Sequence, residues 1–229
     1  MSAGFFGFFA HSGMLSALER EGLLPVRVSG SSAGALVAGS WAGGLDAVRL
    51  AEELVRLERR DFWDPAPGIG LLKGRLFRRL IPARTFADCR VPVALSTFDV
   101  FTARTEVVRE GELASAICAS CALPGLFHPV WRNARPLIDG GVLDRPGLSG
   151  MPSSERVLYH HLASRSPWRT KRSLNLPRRS RMVSLVIEDL PRVGPFTLEI
   201  GERAYRSAAD ATLRALDLPV VDGVARISR

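Results

Sequence analysis

The sequence predicts a three-layer α/β/α domain built on a mostly parallel sheet. Three observations carry that prediction. Short apolar runs alternate with amphipathic stretches along the whole chain, the pattern of strands joined by crossover helices. The length, 229 residues, suits one α/β domain with a single core. The hydrophobic share of 46% and charged share of 24% are those of a folded globular protein and exclude wholesale disorder.

The elements follow in order. Phe5–Leu18 reads as a loop passing into a helix, with Met14, Leu15 and Leu18 at helical spacing and a stop at Gly22. Leu23–Val28 is a short apolar run that reads as a buried strand. Small residues fill Ser29–Gly34, and Ala35–Trp41 continues as an apolar helix. Leu45–Arg59 is amphipathic, with Leu45, Val48, Ala51, Leu54 and Leu57 on one face. Phe62–Gly74 is loop-like and Leu76–Leu80 helical. Val91–Asp99 and Thr105–Arg109 read as strands around a turn at Thr102–Arg104. Glu112–Ala119 is a helix broken by Leu123-Pro124-Gly125. Pro136–Ile138, Arg156–Leu162 and Met182–Ile187 are strands, and Ile200–Leu218 is a final amphipathic helix.

Charge and cysteine content narrow the partners. The net charge is +8, and all but two of the 31 basic residues are Arg, the exceptions being Lys73 and Lys171. A basic surface attracts phosphate-bearing partners. Nucleic acid is not expected, because no binding motif accompanies the charge; peripheral contact with an anionic membrane stays open. The stretch 164–181, with seven basic residues around Trp168, reads as an exposed loop able to dock on such a surface. Cys89, Cys118 and Cys121 form no paired framework and fit a reducing, cytoplasmic compartment. Cys118 and Cys121 have C-x-x-C spacing, but no second pair or His pair completes a zinc set, so no metal or other cofactor is expected. The first ten residues lack the basic start of a signal peptide, and no run reaches the ~20 apolar residues that span a bilayer.

Two segments carry chemistry. Gly30-Ser31-Ser32-Ala33-Gly34 has the form G-x-S-x-G between an apolar run and a helix. A nucleophilic serine on a sharp strand-to-helix turn needs small neighbours, because the backbone is strained and its flanks pack closely. The following helix aims N–H groups at the place where an oxyanion develops. The plain alternative is a turn with a capping serine. Among bases, the four histidines are His11, His128, His160 and His161; His160 and His161 could serve, but they lie in an apolar strand-like run with nothing to mark them. Asp139 is the better candidate: it ends the short strand of Pro136–Ile138 and precedes Gly140-Gly141, which permit a tight turn. An ordinary Asp-Gly turn is the alternative there.

Three ordered blocks together resemble the patatin-like phospholipase family. They are Gly4–Leu15 with its glycines and phenylalanines, Val28–Leu36 around Ser32, and Ala116–Phe127 followed by Leu137–Asp144. The match spans about residues 2–150. The resemblance implies a serine acyl hydrolase acting on fatty acyl esters through a Ser-Asp dyad without histidine, Ser32 being the nucleophile and Asp139 its proton acceptor. It implies an oxyanion hole from backbone N–H groups of Gly4 and Phe5, and one patatin-like domain over 1–229. In the family the glycine loop follows a buried strand. Met1-Ser2-Ala3 stands here where the loop's earlier glycines would be, and the preceding strand is absent, so the chain is expected to be clipped at its N-terminus, one strand short, with an untethered glycine loop. An impaired relative that binds lipid or scaffolds is the alternative function. Phe5, Phe6, Phe8 and Phe9 are expected either to line an acyl or membrane-facing rim or to pack the first helix.

Overall fold

A computed structural model describes residues 1–56, 74–162, 176–194 and 196–228. Its α-helices are α1 (Phe8–Arg20), α2 (Ala33–Ala42), α3 (Ala47–Val55), α4 (Gly74–Leu80), α5 (Leu113–Ser120) and α6 (Gly201–Leu216). Its strands are β1 (Val28–Ser31), β2 (Val93–Asp99), β3 (Arg104–Val108), β4 (Val130–Arg132), β5 (Arg135–Asp139), β6 (Val157–Leu162), β7 (Met182–Glu188) and β8 (Val224–Ser228).

Parallel pairing joins β1 to β2 and runs through β6, β7 and β8. On the far flank β2 pairs antiparallel with β3 and β5, and β5 with β4. Between the two strand groups lies the extended stretch Met1–Ala3. The Met1 nitrogen donates to Ser29 O at 2.9 Å, and Ser31 N–H donates to Met1 O at 3.3 Å. On its other side Ser2 N–H donates to His160 O, and Leu162 N–H to Ser2 Oγ at 3.1 Å. The glycine loop is therefore anchored on both sides, where a loose one was expected.

One core joins α2, α3 and α5 to β1 and β2, with Trp41, Leu95, Leu113 and Ile117 fully buried. A second joins α1 and α6 to β6–β8 through Met14, Leu162, Ile187 and a run of α6 alanines. The opposite face is covered by the loop after β5, whose Leu148 and Met151 pack on Tyr159 and Met182.

Three expectations shift. The strand expected over Leu23–Val28 starts only at Val28 and takes in Gly30 and Ser31, while Leu23, Leu24 and Val26 are exposed. The helix over Leu45–Arg59 begins at Ala47, where Asp46 Oδ1 accepts the Arg49 N–H at 2.7 Å. Its expected last turn lies outside the described residues, as does most of the loop 62–74 and the part of the basic segment around Trp168. The two short strands β4 and β8 were not anticipated.

Glu19, at the end of α1, is a hub. Its Oε1 accepts Trp41 Nε1–H at 2.5 Å, and its Oε2 accepts the Ala47 N–H at 2.8 Å. Arg90 lies 4.0 Å over the Trp41 ring and 3.7 Å from the same carboxylate. One side chain thus fixes three helices. Glu19→Ala leaves the indole N–H without an acceptor and is expected to cost about 2–3 kcal/mol. Urea unfolding checks this; a loss under about 0.5 kcal/mol would show that the hub is not structural.

Candidate active site

Ser32 stands between β1 and α2 with φ 53° and ψ −119°. Few L-residues adopt this region, and strain of this kind costs on the order of 1–3 kcal/mol. The register shows why the turn is so sharp. Ser31 is still paired with Ser96 of β2, and Ala33 already begins a helix, so a single residue reverses the chain. The result lifts the Ser32 side chain off the end of the sheet.

Its partners come from β5 and from the end of α5. Ser32 Oγ donates to Asp139 Oδ2 at 2.6 Å. Ser120, at the end of α5, accepts the Ser32 N–H at 2.9 Å and donates to Ser96 O at 2.6 Å. The Cys121 thiol donates to Ser32 O at 3.2 Å. The strained residue is held at its N–H, its carbonyl and its side chain.

Asp139 is placed by β5, where it pairs opposite Thr97 of β2. Its Oδ1 accepts the Gly141 N–H at 2.7 Å. Gly140 has to be glycine, because a Cβ there would lie 2.0 Å from Ser96 O. Burial pushes the Asp139 carboxyl up to about 6 from 3.8, against the pull of the Ser32 hydroxyl and the Gly141 N–H. The group is poised to take up and release a proton near neutral pH.

A second carboxylate holds the loop that follows. Buried Asp144 accepts the Ser96 hydroxyl at 2.6 Å and the N–H groups of Gly147, Leu148 and Ser149. Ser96 therefore links the supports of both site residues, its carbonyl to Ser120 and its hydroxyl to Asp144. Sequence reasoning missed Ser120, Ser96 and Asp144. Their signal was a hydroxyl or carboxylate inside an otherwise apolar run, which one sequence does not separate from ordinary packing.

The glycine loop starts beside this turn. A Cβ on Gly141 would lie 2.8 Å from the Ala3 side chain, and a Cβ on Gly4 would lie 2.5 Å from Leu162. No acceptor bonds the Gly4 or Phe5 N–H among the described residues. The phenylalanines divide: Phe9 is buried, Phe6 and Phe8 pack partly on the core, and Phe5 is exposed.

The histidines stand apart from the dyad. His11 Nε2 bonds Ser2 O at 2.8 Å, and since a carbonyl only accepts, that nitrogen carries the proton. The Nδ1 of the neutral His11 ring then accepts from His160 Nδ1–H at 2.8 Å. Burial holds both rings neutral, His160 at about 3. The pair braces α1 and residue 2 against β6. Cys118 is buried and Cys89 and Cys121 partly so, all three free, with burial raising their thiols above the ordinary value. No three His, Cys, Asp or Glu side chains group as a metal site among the described residues.

The model of the patatin-like phospholipase family matches residues 1–150. The chain belongs to this family. Other patatin-like relatives agree with the placement. An uncharacterized NTE family protein of Mycobacterium tuberculosis (strain ATCC 25618 / H37Rv) is 31% identical over 143 residues, covering 59% of this chain and 40% of that protein. A lysophospholipase, nte1, of Emericella nidulans is 29% identical over 147 residues, 59% of this chain and 10% of its own length. The chain thus spans well under half the length of these relatives. Among solved structures, VipD from Legionella pneumophila superposes with a TM-score of 0.59 over 94% of this chain and 66% of that one, at 15% identity. That likeness shows a shared α/β patatin-like fold.

Asp139 also makes a stability prediction. The folded state holds a proton that the unfolded chain has released between pH about 4 and about 6. Ionising the buried group therefore destabilises the fold as pH rises through that window, by on the order of 3 kcal/mol. Asp139→Asn, neutral and isosteric, is expected to melt above wild type at pH 8, with the gap closing as pH falls toward 4. Thermal unfolding across pH reads this, and a variant that melts lower at every pH would contradict the assignment. Ser120→Ala orphans the Ser32 N–H and is expected to cost about 1–3 kcal/mol by the same measurement; an unchanged melting point would remove Ser120 from the support of the turn.

Proposed function

We propose that this chain is a serine acyl hydrolase that cleaves fatty acyl esters of lipids through a Ser32–Asp139 dyad. The observation that carries the reading is the 2.6 Å bond from Ser32 Oγ to Asp139 Oδ2 at a residue held with φ 53°. Ionised Asp139 takes the Ser32 proton as Oγ attacks the ester carbonyl. The alcohol leaves with that proton, and an acyl-enzyme remains on Ser32. Asp139 then takes a proton from water as it attacks the acyl carbonyl, and passes that proton to Ser32 Oγ as the Oγ–acyl bond breaks and the fatty acid leaves.

The developing oxyanion needs backbone donors. The unpartnered N–H groups of Gly4 and Phe5, on a loop anchored beside the dyad, suit that role, as does the opening turn of α2. We further propose that residues 1–229 make one catalytic domain, because contacts between α1 and α6 and between Met1–Ala3 and β6 tie the region after Gly150 to the dyad. The lipid class of the substrate draws its support from the family and from the relative named as a lysophospholipase. The anchored loop favours the enzyme over an impaired scaffold. No helix among the described residues is long and apolar enough to cross a membrane.

Hydrolysis of lysophosphatidylcholine and of a short soluble ester tests the reading. Ser32→Ala and Asp139→Ala are each expected to lower kcat by about 10⁴-fold or more, as losses of a nucleophile or its base do elsewhere. Wild type that hydrolyses neither ester, or Ser32→Ala that keeps the rate, would reject it.

A further inference from the structure

The C-terminal edge of β1 and β2, from which Ser32 rises, carries exposed apolar side chains that no core uses. Phe101 and Trp131 are 68% and 65% exposed and meet edge to face, with ring centroids 5.9 Å apart. They stand on the turn after β2 and on β4. The strand register locates them. Asp139 is opposite Thr97, and Trp131 is opposite Pro136, whose carbonyl accepts the Val100 N–H. The aromatic pair therefore projects about 10 Å beyond the dyad along the strand direction. Leu143, 57% exposed, and Val142 follow the Asp139 turn directly, and Phe5, 55% exposed, follows Gly4.

The projection is built, not frayed. Asp99 Oδ1 accepts the N–H groups of Phe101 and Thr102 at 2.9 and 3.3 Å, fixing the turn. Arg135 lies 3.5 Å from both Asp99 and Glu106, bracing β5 on the hairpin of β2 and β3. Arg104, exposed three residues after Phe101, has no ion-pair partner among the described residues. A convex aromatic pair beside a free guanidinium, on a chain of net charge +8, suits the headgroup region of an anionic bilayer.

We infer that Phe101 and Trp131, with Val100 and Leu143, form the surface by which this protein docks on a phospholipid bilayer, setting the Ser32 edge against the lipid. The inference rests on the lipid-ester reading above. It stands beside the basic segment 164–181, most of which lies outside the described residues. In its described part Arg179 is tied to the carbonyls of Met151 and Pro152, and Arg181 to that of Ser154.

The test uses phosphatidylcholine–phosphatidylglycerol vesicles and a soluble short-chain ester in parallel. Phe101→Ala/Trp131→Ala is expected to partition onto vesicles about tenfold or more weakly than wild type, with soluble-ester hydrolysis unchanged. Arg104→Glu keeps both rings, reverses the charge beside them and is expected to weaken partitioning too, so the inference is decided even if the double variant folds poorly. Leu24→Ala/Val26→Ala removes comparably exposed side chains before β1, at the opposite edge, and is expected to bind as wild type. Wild type that does not partition, or Phe101→Ala/Trp131→Ala and Arg104→Glu variants that bind like wild type, would overturn the inference. Partitioning that depends on these residues in a protein inactive on both esters would sustain the docking surface and reject the hydrolase.

Discussion

Ser32 is held where an L-residue does not rest, with its hydroxyl on a carboxyl whose pKa burial raises to about 6, and the surrounding structure serves these two constraints. The backbone strain and the buried acid both oppose folding. They are offset by the parallel register of β1 and β2, which brings Ser96 beside Ser31, and by the two sides of Ser96 itself. Its carbonyl receives Ser120, which holds the nucleophile's N–H. Its hydroxyl goes to Asp144, which holds the loop beyond Asp139. A single β2 residue thereby couples the two halves of the dyad. The same logic explains why glycine is needed at residue 140, where the chain passes against the Ser96 carbonyl.

Much of this was legible in the sequence. G-x-S-x-G and Asp139-Gly140-Gly141 are local devices, because each turn dictates small neighbours within a few residues. The amphipathic helices α3 and α6 are likewise written in their own periodicity. What was not legible depends on distant partners. Leu23–Val26 looks like a buried strand because it is apolar, yet it is an exposed lead-in, and pairing starts where β2 begins to offer carbonyls at Pro92. β4, three residues long, is too short to carry a pattern, and both it and β8 are received by a neighbouring edge. Ser120 and Asp144 become site supports only when α5 and the loop after β5 meet at β2.

The anchoring of the first residues follows the same rule. Met1-Ser2-Ala3 has no strand signature. It is extended because β1 on one side and β6 on the other both present backbone partners, and because the neutral His11–His160 pair fixes Ser2 from above. These two histidines, kept uncharged by burial, brace the glycine loop beside the dyad. Charge follows a similar division. Several arginines of this basic chain bond backbone carbonyls and carboxylates, as Arg132, Arg179 and Arg135 show, which leaves those with no ion-pair partner among the described residues, such as Arg104, as the informative part of its surface.

The central claim is that Asp139 activates Ser32, and the rate of covalent labelling by a fluorophosphonate as a function of pH tests it most directly. The label is expected on Ser32 alone by peptide mass spectrometry, at a rate that rises with pH, half-maximal near the Asp139 value of about 6 and level above it. Labelling at another residue, or a rate on Ser32 that does not change between pH 5 and pH 8, would contradict it.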